Sequence, residues 1–168
     1  AEYGLTLGQR AGEEKSNEIM AIEELLPSLA LTGAVVTIDA MGSQTEIARQ
    51  ITEGGGDYVL AVKDNQPQQA EALRDFFSSL NAPGHCRRAV SSHETVNKGH
   101  GRIETRRCLA VGELDWLELL GLKARGSKIA SVACIESMRE AAGRVETEKR
   151  DVISSLSAGS RGILDAVR

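Results

Sequence analysis

Apolar positions in the first half of the chain recur with two different periods. Ile19, Ile22, Leu25, Leu26 and Leu29 stand at helical spacing, so Ser16 to Leu29 is expected to form an amphipathic helix. Ala34-Val35-Val36-Thr37-Ile38, preceded by Gly33 and closed by Asp39, has the β-branched character of a strand. Gly42 breaks it. Ser43 to Glu46 then has the spacing of a capping box for a second helix, which puts Ile47 and Ile51 on one face and stops at Gly54-Gly55-Gly56. A second apolar run, Tyr58 to Val62, ends at Lys63-Asp64-Asn65-Gln66, where Asn65 is expected to cap a third helix with Pro67 in its first turn, running to about Leu80. Strand, helix and strand at this spacing form a βαβ unit, so the two strands should be parallel neighbours or near neighbours. Both runs are almost continuously apolar, as strands covered on two faces should be.

The second half changes character. Arg102 to Val111, Lys128 to Glu136 and Arg144 to Leu156 alternate loosely, with turn signals at Gly121, Gly126 and Ala141-Ala142-Gly143. Antiparallel strands are expected here, with a short helix at Leu114 to Leu120 packed through Trp116 and a further helix after Gly159. The fold class is therefore α/β, with an α/β part over residues 1–80, a β-rich antiparallel part over 81–156 and the start of a helix over 157–168. Tyr3 to Leu7 reads as a strand, and a chain that opens on Ala1 points to a piece of a longer protein.

Composition removes several classes. With 168 residues, 41% hydrophobic and 26% charged, the chain is an ordinary globular one without a stretch long enough to span a membrane. Aromatics at 3% leave little for base-stacking platforms. Cys86, Cys108 and Cys134 are odd in number and form no CxxC pair, which argues against a disulfide framework or a zinc knuckle and for a reducing, cytoplasmic setting. A net charge of -4 excludes a whole-surface grip on DNA. It does not exclude a local one. Between His85 and Arg107 six Arg or Lys face two acids, so that segment is +4 and the remainder -8.

Two places carry candidate chemistry. Asp39 ends one parallel strand, and Lys63, Asp64, Asn65 and Gln66 leave the other at the same sheet edge, where open α/β sheets bind ligands. Hard carboxylate oxygens there suit Mg²⁺, and the amine and amide groups suit phosphoryl oxygens. The plain alternative is that Asp39 only terminates a strand and Asn65 only caps a helix. The second place is the ribbon holding Lys98, His100, Arg102 and Arg106, which would contact phosphates or be an ordinary solvated strand face. No GxSxG is present, and Gly54-Gly55-Gly56 precedes a strand, so it is a helix stop and not a phosphate loop.

The blocks Val36-Thr37-Ile38-Asp39-Ala40-Met41-Gly42, Gln44, Glu46-Ile47, Gly56 to Lys63, Asn65-Gln66 and Gly99 to Arg106 resemble, in order, the DDE-class insertion-sequence transposases of the H-repeat-associated group. The resemblance implies a ribonuclease H-like core, here incomplete, with a β-rich insertion. It implies DNA cleavage and strand transfer with Mg²⁺ (or Mn²⁺), DNA as transposon ends and target, and a homo-oligomer assembled on that DNA. Asp39 falls on the second Asp of the metal-binding triad, as catalytic residue and metal ligand. Lys63, Asn65, Gln66, Lys98, His100, Arg102 and Arg106 are the DNA-contacting candidates. Asp64 stands where the group has a small residue and is not carried over. The group's Asp-Gly-Lys segment does not occur in this sequence, and its catalytic Glu follows a Trp, whereas the one Trp here, Trp116, lies elsewhere. The 168 residues alone are therefore expected to be inactive. A DNA-binding or regulatory remnant of a mobile element is the alternative, and an unrelated nucleotide-binding module the third reading.

Overall fold

In a computed structural model of the chain, the described residues are 17–38, 45–63, 66–80, 89–99, 101–119 and 128–167. The βαβ unit forms as its pattern requires: β1 (Val35–Ile38), α2 (Thr45–Glu53) and β2 (Asp57–Val62), with β1 and β2 parallel and Ile38 opposite Leu60. Before it, α1 spans Asn17–Leu25 and tightens into a 3-10 turn, Leu26–Ser28, because Pro27 enters its first positions and cannot continue the α-helical hydrogen bonding. The expected helix to Leu29 is thus split. Helix α2 ends at the triple glycine, where Gly55 takes a left-handed φ of 80°. Gly56 passes so close to Leu31 that a Cβ would sit 2.9 Å from its carbonyl oxygen. These glycines are a helix stop. Helix α3 runs Pro67–Ser79 with Pro67 in the first turn; its N-cap is Gln66, one residue later than expected, and Asn65 lies outside the described residues. Ser43 does also, while Glu46 is held by Arg49 at 2.5 Å.

The second half is an antiparallel meander: β3 (Val90–Gly99), β4 (Arg102–Val111), β5 (Ser131–Ala141) and β6 (Arg144–Ser154). Strand β3 has no counterpart among the strands expected from pattern, because its half-buried positions are the polar Ser91, His93 and Thr95 while Val90 and Val96 are exposed. The β5–β6 turn is Ala142-Gly143 with both φ positive, the geometry that matches strand twist. Short helices α4 (Asp115–Leu119) and α5 (Ser160–Ala166) complete the chain. Trp116 on α4 stacks on Phe76 of α3 at 4.4 Å between ring centroids.

All six strands join in one mixed sheet of order β1-β2-β6-β5-β4-β3. Helices α1 to α4 cover one face, over Leu60, Val62, Val111, Val132 and Ile153. Helix α5 covers the other through Ile163 and Leu164, against Val59, Ala110, Ala133 and Val152. Strand β2 is buried on both faces, as its apolar run predicts. Strand β1 is not: among the described residues it is the sheet's edge, and its residues alternate between exposed and half-buried. An apolar run marks a strand, but only the strand order decides whether both faces are covered.

The seam between the halves is the β2–β6 pairing, Leu60 opposite Ile153. Ser154, fully buried, donates to the Tyr58 carbonyl at 2.6 Å and accepts from the Leu156 amide at 3.0 Å. Ser155 accepts from the Tyr58 amide at 2.9 Å and donates to Asp57 at 2.7 Å. Replacing Ser154 by Ala takes the acceptor from the half-buried Leu156 amide and leaves the Tyr58 carbonyl to the Ser155 amide alone, and should cost about 1 kcal/mol. Leu60→Ala, which opens a cavity, should cost about 2–5 kcal/mol. Val35→Ala at the exposed edge should cost well under either. Urea midpoints of the three variants check this order.

Candidate phosphate-contacting surface

Parallel pairing of β1 and β2 places their carboxyl ends at one edge of the sheet. Asp39 is the residue after β1, and it, Asn65 and His100 lie outside the described residues. Lys63 directly follows β2 and is exposed. Gln66 closes the turn behind it, its amide donating to the Lys63 carbonyl at 2.9 Å.

The basic ribbon does not present a single basic face. Side chains alternate across a strand, and the register pairs Lys98 with Ile103, Thr95 with Arg106 and Glu94 with Arg107. Lys98 and Arg107 therefore share the face covered by α1 to α4, while Arg102 and Arg106 point to the opposite one. Arg106 also packs structurally there, donating from Nη2 to the carbonyl of Val167 just beyond α5. One cluster in sequence becomes two in space.

A cavity of about 400 Å³ opens where β2 ends, between α3 and the sheet. Two rungs of the sheet make its floor. One carries Val62, Asp151, Cys134 and Leu109 side by side; the next carries Lys149, Glu136 and Arg107. Helix α3 supplies Arg74, Phe77 and Ser78, and Lys63 enters from the end of β2. Of the site candidates named from sequence that lie among the described residues, this cavity gathers Lys63. Arg74 and Lys149 carried no sequence signal, because they are far apart along the chain in segments of mixed charge.

Burial pushes the Cys134 thiol up to about 12, and the neighbouring Asp151 carboxylate adds to the effect. Burial likewise raises Asp151, against its hydrogen bond with Cys134 and the charges of Arg74 and Lys149, which lower it. Cys108 is raised by burial to about 11. Both thiols stay protonated at neutral pH, so neither is a nucleophile.

Among the described residues no group of three His, Cys, Asp or Glu could hold a metal ion, so they do not by themselves fit a two-metal centre. Nor, among them, is any helix long and apolar enough to cross a membrane.

The site is thus an α/β sheet edge flanked by a cationic cavity. Comparison with known proteins gives it relatives. The chain is 42% identical over 157 residues to an uncharacterized protein in the dhlA 3′ region of Xanthobacter autotrophicus, covering 94% of this chain and 51% of that one. It is 44% identical over 106 residues to the "H repeat-associated putative transposase YbfD" of Escherichia coli, covering 62% of this chain and 40% of that one. A "Putative transposase YncI" of the same species matches at 45% over 105 residues, with 62% and 41% covered. The chain is related to the H repeat-associated group, as the quoted blocks indicate, and spans about half or less of the length of these relatives. No protein-family model matches it. Among solved structures, a sugar N-methyltransferase from Streptoalloteichus overlaps 98% of the chain at 11% identity with a TM-score of 0.28, too low to carry an argument about fold.

The thiol assignment has a direct check. Iodoacetamide at pH 8 should label Cys108 and Cys134 far more slowly in the folded chain than in urea, read by peptide mass. Asp151 gives a second check. Its folded pKa is raised above the unfolded value of about 3.8, so its contribution favours folding at low pH and is lost as pH rises through the folded pKa. Asp151→Asn removes that loss, so the variant's melting temperature should gain on the wild type between acid and neutral pH. A constant difference across that range would contradict it.

Proposed function

We propose that this chain is a segment of a DNA transposase, in which the sheet edge after β1 and β2 belongs to a ribonuclease H-like catalytic core and the β3–β6 meander is an insertion that lies along DNA. The observation that carries the reading is the sequence relation to proteins named transposases, joined to a sheet that delivers two parallel strand ends to one edge. In the parent protein, Asp39 is a ligand of Mg²⁺ (or Mn²⁺), which supplies Lewis-acid activation of the scissile phosphodiester when bound. Lys63, Asn65 and Gln66 lie next to that edge in sequence and bind the DNA backbone, as do Lys98, His100 and Arg102 on the meander, whereas Arg106 is engaged by the Val167 carbonyl. The parent acts on transposon ends and target DNA as a homo-oligomer.

One carboxylate cannot hold two divalent cations in the geometry an in-line displacement needs. The 168 residues alone should therefore bind DNA without cutting it. Fluorescence anisotropy with a labelled duplex should show binding that weakens steeply with salt and is indifferent to Mg²⁺. Gel assays with Mg²⁺ or Mn²⁺ should show no nicking. The flanking coding DNA tests the parent assignment: an in-frame Asp-Gly-Lys upstream and a Trp followed by Glu downstream are expected. Metal-dependent cleavage by the chain alone that Asp39→Ala abolishes, or the absence of any DNA binding at low salt, would overturn the reading.

A further inference from the structure

We infer that the cavity between α3 and the rungs of β4, β5 and β6 is a binding site for a phosphoryl anion, occupied by one phosphodiester group of the DNA backbone. The inference rests on the proposed function for the source of that phosphate, and on the cavity itself for the chemistry.

Lys63, Arg74, Arg107, Lys149 and Arg150 line the cavity. They come from the end of β2, from α3, from β4 and from β6, so the cluster is made by the tertiary fold and not by a basic run. Among the described residues Glu136 and Asp151 line the cavity with them, and Glu148 pairs with Arg150. With Arg150 offset by Glu148, four cations face two carboxylates among the described residues, a formal +2 on a chain whose formal net charge is -4.

Two of these cations have short ion pairs. Lys149 meets Glu136 at 3.2 Å, and Arg150 meets Glu148 at 2.8 Å. Arg74 and Arg107 stand on different elements across the opening, and their planar guanidinium forks match the oxygens of a phosphate. A concave, partly apolar wall of one dominant sign focuses its field on the space inside. Phe77 and Leu109 supply apolar surface for a deoxyribose beside the phosphate. The volume of about 400 Å³ is within the range of small-ligand sites. Because α3 and the sheet are fixed by their shared core through Leu73 and Phe77, the cations are held in place before an anion arrives.

The test compares the wild-type chain with Arg74→Ala/Arg107→Ala and with Arg161→Ala, whose charge lies on α5, away from the cavity. Thermal melting confirms that each variant is folded. With a labelled random-sequence duplex, the slope of log K against log salt should fall by about 2 in the double variant, about one per cation, and stay unchanged in Arg161→Ala. An unchanged slope in a folded double variant of a chain that binds DNA overturns the site.

Should the wild type fail to bind DNA, the proposed function fails and the cavity is still decided separately. Side-chain Nε–H resonances of Arg74 and Arg107 are then followed during titration with inorganic phosphate against chloride at equal ionic strength. Saturable shifts with phosphate alone support a phosphoryl site fed by free phosphate. Absent shifts, or equal shifts with a polyglutamate peptide at matched charge, overturn it.

Discussion

The pairing of β2 with β6 is the constraint on which the rest of the molecule depends. Strand β2 alone touches both architectures: it is parallel to β1 on one side and antiparallel to β6 on the other. Its side chains divide between the two faces, Leu60 and Val62 beneath α1 to α4 and Val59 beneath α5. At the end of the seam serine hydroxyls supplement the backbone pairing, which itself includes the Ser155 amide donating to the Tyr58 carbonyl at 3.2 Å. Ser154 and Ser155 bind both polar groups of Tyr58, and Ser131 closes onto Leu156 at 2.7 Å. The junction is hydrogen-bonded side chain to backbone because two kinds of strand pairing meet there, and ladder bonds alone do not satisfy every group.

From that seam the meander extends outward. Near the core, β4 to β6 are buried, and toward their hairpin turns they become exposed on both faces. The outer rungs pair opposite charges across strands, as Lys149 does with Glu136, and such exposed pairs add little stability. Their consequence is spatial. A strand alternates its side chains, so every second charge in a basic run is delivered to the opposite face, and Arg106 and Arg107 end in different environments. Arg106 is absorbed into the contact with α5, while Arg107 reaches the cavity under α3.

Cavity and sheet edge are adjacent through Lys63, which follows β2 and lines the cavity. The cations of the cavity are carried by a helix and three strands, which fix their positions more firmly than a flexible ribbon would. Beneath them burial raises the Asp151 carboxyl and the Cys134 thiol, while Arg74 and Lys149 draw Asp151 back down.

The residues by themselves determined the βαβ unit, the parallel pairing, the triple-glycine stop, the Trp116 packing and most of the antiparallel strands. Those features follow from local period, turn chemistry and propensity, which act over a few residues. The relation to H repeat-associated proteins was also legible, because it lies in ordered blocks of sequence. Strand β3 was not, since its residues alternate weakly and its partner β4 supplies the hydrogen bonds that make it a strand. Edge exposure of β1, the division of the basic ribbon between two faces, and the gathering of Arg74, Arg107 and Lys149 around one cavity were decided by tertiary structure alone. Each depends on which strands become neighbours, and strand order is set by long-range burial and pairing that no local pattern contains.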